Sequence, residues 1–117
     1  MRHQVKKHRL ARPRDARRLL LGNLATSLVL HEKIQTTVAR AKALQPFMDK
    51  LINDSKKPAK SDAIKAVMAV LQSELSSKKL IDKIGKKYAD RQSGYTRITR
   101  IGFRAGDSAP IVQIELV

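Results

Sequence analysis

Leu20, Leu21, Leu24, Ala25 and Leu28 recur at the spacing of one helix face. They predict a first helix that opens near Arg14 or Asp15 and ends between His31 and Lys33. Pro13 biases Arg12 away from helical geometry, and Asp15 suits the positive end of a helix dipole. Lys33-Ile34-Gln35-Thr36-Thr37 is a β-favouring run and predicts a short strand. Val38, Ala41, Leu44, Met48, Leu51 and Ile52 then define a second helix, with Thr37 as its N-cap. Pro46 lies inside that pattern. It lacks the N–H that would bond the Lys42 carbonyl, which predicts a kink costing about 3 kcal/mol if nothing compensates.

Asn53 to Lys60 reads as a polar loop. Ser61 is placed to cap a third helix carrying Ile64, Val67, Met68 and Leu71. A break is predicted near Ser76-Ser77, followed by a shorter fourth helix through Leu80, Ile81, Ile84 and Tyr88, weakened by Gly85. From Gly94 onward the period changes. Gly94 to Arg104 is rich in strand formers, and Ile111 to Val117 places Val112, Ile114 and Leu116 on one face. The turn Ala105–Pro110 joins the two into an antiparallel hairpin, with a bulge near Gly102 and Lys33–Thr37 as a candidate edge strand. The predicted architecture is α+β: about four helices packed on a small mixed or antiparallel sheet of about three strands, with an extended basic N-terminal arm. Residues 1–13 form the arm and 14–117 a single domain.

Charge changes this picture most at the start of the chain. The first eighteen residues hold eight Lys/Arg and one acid, and the 117-residue chain carries a formal net charge of +15. Like charges gathered this closely repel one another unless a polyanion lies against them, and nucleic acid is the commonest such partner. Arg14, Arg17 and Arg18 crowd the first helix at the end where the dipole favours anions. Hydrophobic content of 42% supports a folded domain, but only 3% is aromatic. The core must therefore be aliphatic, and base stacking is not the main binding mode. The basic start resembles a transit peptide in charge but lacks serine enrichment. No apolar run approaches a membrane span.

Catalytic chemistry is hard to place. With no cysteine, the chain has no disulfide, thiolate zinc site or cysteine nucleophile. His3, His8 and His31 lack metal-ligand spacing, and the scattered acids form no acid/base pair. The chain reads as a non-enzyme without cofactor or metal. His3 and His8 read as phosphate contacts or as plain solvent-facing residues, the basic context favouring phosphate. Arg97 and Arg104 sit beside Tyr95 and Phe103, where a guanidinium can grip phosphate or stack on a base. Lys56-Lys57, Lys60 and the lysines of the fourth helix spread further charge, much of it a solvated face.

The motifs Met1-Arg2-His3, Asn23-Leu24-Ala25-Thr26-Ser27-Leu28, Lys33-Ile34-Gln35-Thr36-Thr37 and Ala41-Lys42-Ala43-Leu44 stand in a telling order. Gly94-Tyr95-Thr96-Arg97-Ile98, Gly102-Phe103-Arg104-Ala105-Gly106-Asp107 with Ala109-Pro110, and Ile114-Glu115-Leu116-Val117 follow. Together they resemble the bacterial large-subunit ribosomal protein L-seventeen family over the whole chain. The resemblance implies a structural, non-catalytic component that binds large-subunit ribosomal RNA near the exit of the peptide tunnel. It would act as a monomer within the ribosome, beside neighbouring ribosomal proteins, in the cytoplasm or an organelle, with no membrane or small-molecule partner.

By position, the resemblance assigns RNA contacts to Arg2, His3, Arg12, Arg17 and Asn23. It places Thr36, Thr37, Lys42, Tyr95, Arg97 and Arg104 on the domain's RNA side. Lys6, Lys7, His8, Arg9, Arg14, Arg18 and Lys33 join them as further candidate RNA-binding residues. Ala16 and Gly22 depart from the family, which commonly has His and Arg there; Arg14 and Arg18 can replace that charge. The segment 53–77 matches least. A DNA-binding or nucleoid protein explains the charge equally well but needs a recognition helix or dimer interface, and neither is legible.

Overall fold

The computed structural model describes residues 10, 13–71 and 73–117. Helix α1 (Arg14–His31) opens directly after Pro13, whose carbonyl accepts the Arg17 N–H at 2.9 Å. It stops where Glu32 turns left-handed at φ 65° and returns its N–H to the Leu28 carbonyl. That turn launches β1 (Lys33–Thr37). Thr37 then caps α2 (Val38–Ser55) by accepting the Arg40 N–H, as the sequence predicts. Pro46 does not end α2. Both Pro46 and Lys42 are exposed, so the carbonyl deprived of its partner lies on the water side.

Helix α3 (Lys60–Leu71) starts two residues earlier than a Ser61 cap would place it. The Ala59 carbonyl accepts the Asp62 and Ala63 N–H groups at 3.1 Å, so Ser61 lies inside the first turn and is not its cap. Asp62 supplies the anion at the positive helix end. The predicted break at Ser76-Ser77 is also corrected. Ser73 is the N-cap, and both later serines are buried inside α4. Ser76 bonds back to the Ser73 carbonyl at 3.0 Å, which satisfies its hydroxyl without breaking the helix.

Helix α4 runs as Glu74–Lys79, a π-helical segment Leu80–Ile84, and a closing turn Gly85–Lys87. Leu80, Ile84 and Tyr88, four residues apart, are all buried. A 3.6-residue turn would rotate such a series off the core, and the wider π turn offsets that drift. Gly85 sits at a close crossing: a Cβ there would lie 3.1 Å from Ser55 Oγ.

Strands β2 (Thr96–Phe103) and β3 (Pro110–Leu116) complete a three-stranded sheet of order β1-β3-β2, antiparallel throughout. The edge-strand expectation for Lys33–Thr37 is therefore met. A bulge at Ile101 separates the pairs Arg100↔Val112 and Gly102↔Ile111. Helices cover one face of the sheet, where Val112 and Ile114 meet Leu28, Leu44, Met48 and Ile52 in an aliphatic core. Burying each large side chain of this kind is worth about 1.5–3 kcal/mol. Gly22 permits α1 to approach α3: a Cβ there would stand 2.9 Å from the Val70 carbonyl oxygen. Thr26 uses the same crossing, donating within reach of both the Gly22 and Leu71 carbonyls.

Candidate nucleic-acid interface

The cationic first turns of α1 do not stand alone. Arg14, Arg17 and Arg18 border a groove of about 650 Å³ between α1, α2 and α3, and Lys50 of α2 joins them. Leu21, Phe47, Leu51 and Val70 contribute apolar lining, and Asp54 is the one carboxylate on its wall. Arg14, Arg18 and Lys50 are exposed, and Arg17 is half-buried. Among the described residues the only ion pairs are Lys57–Asp54, Arg97–Glu115 and Arg104–Asp107. The four groove cations thus have no carboxylate within 4 Å, and the residues outside the description contain no acid. The sequence pattern did not reveal Lys50, since α2 is recognised by its apolar stripe and only packing brings its polar side to α1.

Asn23 is exposed on α1, Lys42 on α2 and Lys33 on β1. The open face of the sheet carries Lys33, Glu115 and Arg97 in one cross-strand row. There Arg97 Nε donates to Glu115 Oε1 at 3.2 Å. Thr37 spends its hydroxyl on the helix cap. Arg2, His3, Lys6, Lys7, His8, Arg9 and Arg12 lie outside the described residues. No group of three His, Cys, Asp or Glu able to hold a metal ion occurs among the described residues.

Two expected surface contacts are corrected. Thr36 is nearly buried, on the helix-covered face of the sheet. Tyr95 is fully buried, and its hydroxyl accepts from Lys56 Nζ at 2.7 Å. The same hydroxyl has Asn53 Oδ1 and the Arg91 carbonyl within reach of its single proton. Lys56 also donates to the Tyr88 and Arg91 carbonyls, so its charge is committed to the fold. Lys79 likewise donates to the Leu30 carbonyl at 3.0 Å and closes the end of α1. Neither lysine could be told from its solvated neighbours by composition.

At the hairpin turn, Arg104 Nε and Nη2 donate to Asp107 Oδ1 and Oδ2 at 3.1 and 2.6 Å. Asp107 Oδ1 also accepts the Ala109 N–H. The Arg104 hydrogen bond, with help from Ala109, lowers the Asp107 pKa from 3.8 to about 2. A depressed carboxylate stabilises the turn above its unfolded value and loses that effect as pH falls through its folded value. The turn is therefore expected to be fully clamped above about pH 4 and to loosen between pH 4 and pH 2. NMR titration of the Asp107 carboxyl should show a midpoint near 2. In R104A the midpoint should return toward 3.8.

A family model described as Ribosomal protein L17 matches residues 20–117. The chain is 41% identical over 117 residues to the large ribosomal subunit protein bL17 of Neorickettsia sennetsu, covering 100% of each chain. It is 43% identical over 124 residues to the bL17 protein of Thermotoga maritima, covering 100% of this chain and 95% of that one. The chain belongs to the ribosomal protein L17 family. Membership makes it a structural ribosomal protein and not an enzyme. The bL17 protein of Anaplasma marginale is 43% identical over 121 residues, covering 100% of this chain and 90% of that one. No helix among the described residues is long and apolar enough to cross a membrane.

Proposed function

We propose that this chain is a structural constituent of the large ribosomal subunit that holds segments of ribosomal RNA together. Residues 1–13 act as a basic arm, and residues 14–117 supply a rigid basic face. The reading is carried by the cluster Arg14, Arg17, Arg18 and Lys50, four cations on two helices around a groove whose one lining carboxylate, Asp54, lies beyond 4 Å of each. Phosphates would answer it, and RNA shape, backbone and 2′-hydroxyls would set the register. Asn23, Lys33, Lys42, Arg97 and Arg104 extend the contact surface across α1, α2 and the sheet. Proximity to the peptide tunnel exit follows from the family resemblance alone.

The protein should co-sediment with large subunits and leave only at high salt. If about ten cationic groups engage deproteinised large-subunit ribosomal RNA, log affinity should fall against log salt with a slope of roughly −7. A slope near zero would remove the electrostatic basis of the proposal. Equal competition by duplex DNA would favour a nucleoid protein instead.

A further inference from the structure

The end of the β2–β3 hairpin is a bare finger: every residue from Thr99 to Ser108 is exposed. Two large apolar side chains stand on it, Ile101 at 50% and Phe103 at 74% exposure. The chain has only four aromatic residues. Tyr88 and Tyr95 are buried, and Phe47 packs against the core. Of the four, only Phe103 is mostly exposed. A Cβ built at Gly102 or Gly106 would meet nothing within 4 Å, so the finger is also uncrowded by the body.

The finger is nonetheless ordered by its own bonds. The Arg104 N–H reaches the Ala109 carbonyl at 2.8 Å, and the Ser108 N–H reaches the Arg104 carbonyl at 3.0 Å. The Arg104–Asp107 fork closes the turn. Opposite Phe103 is Pro110, and the bulge at Ile101 increases the local twist of the strand. Arg100, four residues before Arg104, is exposed and has no carboxylate partner among the described residues. A rigid turn thus holds a planar apolar ring between two guanidinium groups in sequence, and one of these has no internal counter-charge.

We propose that this finger is a stacking wedge, with Phe103 packing against an unpaired base of folded RNA and Arg100 meeting the adjoining phosphate. A π face paired with a cation suits a nucleotide, because each base offers a flat apolar surface attached to an anion. An apolar protein pocket would need the ring's bulk but not its planarity. The inference rests on ribosomal RNA being the partner.

The test uses F103A, F103L and F103W in the full chain, titrated with deproteinised large-subunit ribosomal RNA. The chain contains no tryptophan, so F103W introduces a single indole reporter. F103A should bind about 5- to 150-fold more weakly than wild type. F103W should restore affinity and lose indole fluorescence on binding, and F103L should stay weak. Thermal melts of the three variants should match wild type, because the position is exposed. Affinity of F103A within about twofold of wild type, rescue by leucine, or an indole unquenched by RNA would each overturn the wedge. Failure of the wild-type chain to bind the RNA would overturn the parent proposal as well, and so separates the two.

Discussion

Tyr95→Ala is expected to cost about 3–5 kcal/mol, as for other large aromatic truncations in a core. That is a large share of the roughly 5–15 kcal/mol by which a domain of this kind is stable. Three losses combine. The ring leaves a cavity beside Tyr88, whose centroid lies 5.2 Å away. Lys56 loses an acceptor on an ammonium that otherwise meets only the Tyr88 and Arg91 carbonyls. The end of α2, the turn after α4 and the start of β2 lose the hydroxyl that links them. Tyr95→Phe separates these terms, since it keeps the ring and removes the bond. Its cost should be about 1–3 kcal/mol, from the polar groups left without a partner. Urea melts of both variants measure the two terms. A loss under about 1 kcal/mol for the alanine variant would show that the surrounding structure collapses around the gap, and that Tyr95 does not tie these elements together.

The second large effect lies on function. Replacing Arg14, Arg17 and Arg18 together with alanine should weaken binding to large-subunit ribosomal RNA by about 100-fold near 0.1 M salt. The log–log salt slope should become shallower by roughly two. Stability should not fall. These arginines oppose the dipole at the start of α1 and repel one another and Lys50 across the groove. Their removal should therefore leave the melting temperature unchanged or raise it slightly. Melts and RNA titrations on one preparation check both halves. Affinity and stability falling together would mean that the three side chains serve packing and not the partner.

These two predictions separate what was readable along the chain from what was not. The apolar spacing of Leu20 to Leu28 located α1, and Pro13 marked its start. The β-branched run at Thr36-Thr37 located β1, and Thr37 announced the cap. Alternation after Gly94 located the hairpin, and the apolar pair Ile101 and Phe103 disclosed its bulge. These are local signals, carried by residues within one or two turns of each other. Ser76 and Ser77 misled for the same reason. Two adjacent serines read as a break, but buried against neighbouring helices they are simply small, and Ser73 does the capping.

The candidate site was legible in its charge and illegible in its sorting. Arg14, Arg17 and Arg18 stand out in any count of cations. Whether a given lysine faces solvent or holds the fold depends on a partner far away in sequence. Lys56 and Tyr95 are 39 residues apart, and Lys79 and Leu30 are 49 apart. No local pattern encodes such a pair.

The chain's own order of residues therefore determined the periodicities, the elements they build, the aliphatic character of the core and the surplus of positive charge. Those properties follow from side-chain chemistry and short-range backbone geometry. Only the tertiary structure decided that Tyr95 turns inward while Phe103 remains outside, that Lys50 completes the arginine cluster, and that Lys56 and Lys79 are spent internally. Each of those outcomes depends on which distant surfaces pack together, because burial and pairing are properties of the assembled layers.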